Sequence, residues 1–160
     1  MAARQQTAAL VPESPTYSAF LAGPVAVLIW HDCISVEGVD CVRRVFAALR
    51  REHSVRGFGF LTIIEEEADI TTSAQVRQQL SALLAEHEPW LRAASIAYQG
   101  KGFKATIARS AITAINMASR ARFPNRVFQE PIDAMRWLAA EVGTPDLHMH
   151  AQLRRFAPSK

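Results

Sequence analysis

Cysteine is scarce: Cys33 and Cys41 are the only 2 in 160 residues. Two are too few for a disulfide framework and lack zinc-ligand spacing. Both therefore read as small buried apolar side chains, a usage that points inside the cell. Glycine and proline, at 7 and 8, are too sparse for a collagen-like or low-complexity chain. Long apolar runs are missing too. The longest, Val25 to Trp30, falls far short of the roughly 20 residues of a membrane-spanning helix. No basic-then-apolar signal segment opens the sequence. These absences lead to the expectation of a soluble, cytoplasmic chain that does not insert into membranes.

What is present is an ordinary globular composition, 49% hydrophobic and 21% charged, of a length that suits one domain with a real core. Net charge is only +3, but it is unevenly spread. Residues 1–91 carry 7 basic and 11 acidic side chains, and residues 127–160 carry 4 of each. Between them, Arg92, Lys101, Lys104, Arg109, Arg120, Arg122 and Arg126 stand without any Asp or Glu.

Residues 1–16 show no period of 2 or 3.6 and read as a flexible arm. Tyr17 onward, a Gly23-Pro24 turn and Val25 to Trp30 predict a strand pair or one long bent strand; the second run, apolar on both faces, belongs centrally in a sheet. Ser35 is placed to cap a helix running to about Glu52, with Val39, Val42, Val45, Phe46 and Leu49 as its apolar face. Phe58 to Ile64 reads as a buried strand that stops at Glu65-Glu66-Glu67. A second helix begins near Thr72 or Ser73 and runs to about His87, before Pro89. Ala94 to Tyr98 is a strand, Phe103 to about Arg120 a helix, Arg126 to Phe128 a strand, and Pro131 opens a helix that ends before Gly143. Residues 17–143 thus form an α/β domain, and residues 144–160 read as a tail. Strands alternating with amphipathic helices imply right-handed crossovers. The expected sheet is mixed and mostly parallel, with about five strands, about four helices and an antiparallel edge from the first pair.

Three stretches carry a family likeness across residues 17–142: Asp32-Cys-Ile-Ser-Val-Glu37 at the first strand-to-helix passage; Ser95-Ile-Ala-Tyr98 followed by Gly100-Lys-Gly-Phe103; and the ending Arg126-Val-Phe128 to Trp137-Leu138. The chain resembles the STAS domains, the anti-sigma-factor antagonists, and within them the SpoIIAA-like bacterial single-domain proteins. The resemblance implies a STAS-like fold, a regulatory role through protein partners, and a phosphorylated hydroxyl at the start of the second helix. The matching positions here are Thr72 and Ser73 in Asp69-Ile-Thr-Thr-Ser-Ala74. No glycine follows these hydroxyls, and Glu65 to Glu67 would repel a new phosphate. A plain helix cap is the alternative role.

Other residues suggest chemistry of their own. Gly100, Lys101, Gly102 and Lys104 open a helix, where free amides and the helix dipole could hold a phosphate- or nucleotide-like anion; a tight turn needs the same glycines. On that helix Arg109, Thr113, Asn116 and Arg120 share one face opposite the apolar stripe, with Lys104 at its start. The basic face suits an acidic protein surface, including residues 65–69 of a second copy. It lacks the stacking aromatics that nucleic acid calls for. Trp137 lies off the apolar stripe of the last helix, which fits packing under the tail or the last strand, or anchoring a partner. His31, Asp32 and Cys33 are neighbours on a strand end and point to opposite faces, so they form no relay among themselves. His87 reads as a hydrogen-bonded, half-buried ring, and His148 and His150 are too few for a metal centre. The expectation is a non-catalytic regulatory or scaffold protein without cofactor or metal. A binder of a small anionic or apolar ligand is the second reading, and a hydrolase using His31 or Cys33 the third.

Overall fold

The computed structural model describes residues 14–103, 105–106, 108–110 and 122–144. The strands are β1 (Tyr17–Ala22), β2 (Val25–Trp30), β3 (Phe58–Ile64), β4 (Leu91–Tyr98) and β5 (Asn125–Phe128). The helices are α1 (Val36–Glu52), α2 (Ala74–His87), α3, whose described residues lie between 102 and 110, and α4 (Pro131–Val142). The five strands form one sheet in the order β1-β2-β3-β4-β5. β1 is antiparallel to β2, and the remaining pairs are parallel. This is the mixed, mostly parallel α/β architecture expected from the sequence.

Gly23, at φ 56°, takes the left-handed conformation that the β1–β2 turn requires. All six residues of β2 are buried, as befits a run apolar on both faces between two neighbours. β4 begins at Leu91, three residues earlier than the apolar run Ala94 to Tyr98 predicts. Arg92 interrupts the apolar pattern but is exposed between buried Leu91 and Ala93, so the alternation of a strand continues through it.

Four parallel strands laid side by side in sequence order step across the sheet in one direction. Right-handed crossovers then put α1, α2 and α3 on the same face. α1 packs there on β1, β2 and α2. Its Ser35 cap accepts the Gly38 N–H at 3.3 Å, and Phe46 stands edge-on to Phe58, Phe60 and His87, with ring centroids 5.1, 5.0 and 5.2 Å away. His87 is more buried than expected, at 2% exposure, and its Nδ1 lies 3.0 Å from the Leu83 carbonyl oxygen. The other face receives α4, which packs on β3, β4 and β5 through Ala134, Met135, Leu138 and Ala139. Full burial of side chains such as Phe46 and Leu138 stabilises the fold by about 1.5–3 kcal/mol each. No helix among the described residues is long and apolar enough to cross a membrane.

Candidate functional site

In a parallel sheet every strand-to-helix loop leaves from the carboxyl ends of the strands, and ligands of open α/β sheets bind along that rim. Here it holds residues 31–35 after β2, 65–73 after β3, 99–101 after β4 and 129–130 after β5. Because β1 runs antiparallel, its first residues share the rim. The Thr16 carbonyl, within the stretch assigned to the arm by sequence, accepts the N–H groups of His31 and Asp32 at 2.9 and 3.3 Å. Two neighbouring loops are tied together as well: the Asp69 N–H donates to the Asp32 carbonyl at 2.6 Å, and Cys33 and Asp69 form an isolated parallel bridge.

Alternation along the strands decides which rim residues meet. Phe20, Ile29 and Ile63 face the α4 side, so Ser18, His31 and Glu65, each two residues nearer the rim, continue that face. They form a hydrogen-bonded chain. His31 Nε2 lies 2.8 Å from Ser18 Oγ, and its Nδ1 lies 3.0 Å from Glu65 Oε2. The side chains of His31 and Glu65 are 26% and 37% exposed, which leaves the chain open to a ligand yet partly desolvated. Since α4 covers β3 to β5, the chain lies on the side of the face that α4 leaves. Sequence reading singled out His31 but not its partners. Register provides the missing signal: once β1 pairs with β2, positions 16 and 31 are opposite each other, and residue 18 is one diagonal step away.

The hydroxyls that the family resemblance marks stand on the same rim. Ser73 Oγ accepts the Val76 N–H at 3.2 Å and so caps α2, the ordinary role of a hydroxyl there. Thr72 receives the Arg77 guanidinium on its carbonyl at 2.5 Å. Asp69 Oδ1 accepts the Thr71 N–H at 2.8 Å, and its hydrogen bonds with Thr71 hold the Asp69 carboxyl below the usual range. At the first residue of α3, Gly102 has φ 73°, the left-handed region that favours glycine, while a Cβ on Gly100, in the turn before it, would lie 2.5 Å from the Tyr98 ring. Both glycines therefore satisfy local geometry. Lys101 is exposed, and Phe103 is 80% exposed.

The basic face is only partly within view, since Lys104, Thr113, Asn116 and Arg120 lie outside the described residues. Arg109 is half-buried. The acid-free stretch gains an acid from elsewhere: Glu88 Oε1 accepts the Arg122 N–H at 2.9 Å and lies 4.0 Å from its guanidinium. Trp137 packs on Phe128 of β5, ring centroids 5.9 Å apart, and the Arg126 guanidinium stands 5.6 Å from its ring. Of the packing roles open to it, contact with the last strand is therefore realised. Cys41 is buried, which pushes its thiol up, and Cys33 is half-buried. His148 and His150 lie outside the described residues. No family model, curated protein or solved structure matches this chain.

Proposed function

We propose that this chain is a regulatory or scaffold protein that acts through protein–protein contact at the rim formed by the carboxyl ends of its strands. The observation that supports this reading is Phe103, 80% exposed, next to exposed Lys101 in the turn that opens α3. An exposed aromatic flanked by a cation combines an apolar anchor with a charge that steers an acidic surface toward it. The partner we favour is accordingly an acidic protein face, with residues 65–69 of a second copy as one source. The resemblance to STAS domains agrees with this reading, and the consecutive strand order with an antiparallel first pair is compatible with it. Phosphorylation at Thr72 or Ser73 would place about two negative charges at the first turn of α2, beside Arg77, and so alter the rim's charge.

The test is partner capture by the full-length chain and by a Lys101→Glu, Phe103→Ser variant. Both positions are exposed, so the variant keeps its fold and thermal midpoint. The reading predicts that the variant loses the captured protein; equal capture by both forms rejects the rim as the working surface. An Arg109→Glu, Arg120→Glu variant, run in parallel, reports whether the basic face of the third helix contributes.

A further inference from the structure

We propose that Ser18 is an activated nucleophile and that the chain Ser18–His31–Glu65 is an acyl-transfer site for small carboxylic esters. The inference goes beyond the binding role and does not rest on it. Three groups in contact have the roles that nucleophilic catalysis by serine requires: a hydroxyl, an imidazole that can take its proton, and a carboxylate that orients the imidazole. The two ring nitrogens are used in the productive sense. Glu65, ionised, can only accept a hydrogen bond, so the contact at 3.0 Å requires the proton on His31 Nδ1. In the neutral ring that leaves Nε2, 2.8 Å from Ser18 Oγ, to accept the serine proton.

Backbone geometry leaves one N–H beside the nucleophile that could serve the developing oxyanion. The His31 N–H donates to the Thr16 carbonyl, which marks 16 and 31 as a position where the strands face each other through hydrogen bonds, and in an antiparallel ladder such positions recur at every second residue. Ser18 therefore turns its own N–H toward β2, and the next residue, Ala19, turns its N–H away from it. β1 is the first strand of the sheet, so that N–H points off the edge of the described sheet. A donor on the residue after the nucleophile is a recurrent element of oxyanion stabilisation.

The step balances without a co-reactant other than water. Ser18 Oγ bonds to the ester carbonyl carbon as its proton passes to His31 Nε2, and the carbonyl π electrons move to oxygen. The tetrahedral adduct collapses, the alkoxide leaves with the proton held by His31, and an acyl group remains on Ser18. Water, giving a proton to His31, then attacks the acyl carbon; Ser18 leaves with that proton and the carboxylic acid is released. Glu65 touches no substrate. It is a positioning residue that holds the imidazole and stabilises its protonated form.

The test treats the intact chain with an alkyl fluorophosphonate, which loses fluoride to a reactive serine, and with p-nitrophenyl acetate. Peptide mapping locates the label, and circular dichroism checks each variant. The proposal expects one label per chain on Ser18, none in Ser18→Ala, and a rate lowered about a hundredfold or more in His31→Gln. Glu65→Gln retains an acceptor but no charge and is expected to label more slowly than wild type. In the wild type, labelling is expected to slow on acidification, a profile that a purely structural hydrogen bond would not produce. Labelling no faster than in Ser18→Ala overturns the proposal. So does a wild-type rate that is independent of pH through the histidine range, a readout that stands even where His31→Gln fails to fold.

Discussion

Gly38 has no room for a side chain: a Cβ there would stand 2.2 Å from the Trp30 ring, which fills the space between α1 and β2. Overpacking of this kind costs about 1–3 kcal/mol, because a fully buried indole cannot step aside. Gly38→Ala is expected to lower the unfolding free energy measured by urea denaturation by that amount, whereas Gly23→Ala, which meets open space, costs only the left-handed backbone term of about 1 kcal/mol. Asp69 bears on pH. Hydrogen bonds from the Thr71 backbone and side chain lower its folded pKa below the unfolded value, so the unfolded chain binds more protons in that interval. Its contribution to stability is therefore present above the ordinary carboxylate range and lost as pH falls through the folded value. Asp69→Asn is expected to lower stability at neutral pH while leaving it nearly unchanged in acid, so that the acid limb of the stability curve flattens, as read by chemical denaturation at a series of pH values.

Among the elements, α4 depends on close approach to the sheet. Leu138 is fully buried, and Leu138 and Val142 lie about 3 Å from where a Cβ on Gly59 would stand. Leu138→Ala is expected to lose about 2–5 kcal/mol in equilibrium unfolding, more than any exposed change on the same helix. Element boundaries were largely legible in the sequence because local chemistry decides them: Ser35 and Ser73 cap α1 and α2, Pro131 opens α4, and Gly143 closes it at φ 67°. The start of β4 was not, because Arg92 breaks an apolar run without breaking the alternation. The Ser18–His31–Glu65 chain was less legible still. Its members lie 13 and 34 residues apart and meet only through strand pairing, a long-range property that no local pattern carries. Trp137 followed its helical position, off the stripe, but its partner Phe128 lies on another element.

At the scale of the molecule, one topological fact organises the rest. A parallel sheet in sequence order sends the strand-to-helix loops to one rim, and an antiparallel first strand adds its opening residues there. The acidic loop 65–69, the capping hydroxyls, the His31 chain and the Lys101–Phe103 turn all lie along it. This rim is the surface at which we propose the chain meets its partners. The measurement closest to the central claim is native mass spectrometry of the chain recovered gently from its own cells. The account predicts a stoichiometric complex with a second protein or a second copy, at a mass that fixes the ratio. A bare monomer at every concentration, unchanged by added lysate, would contradict it.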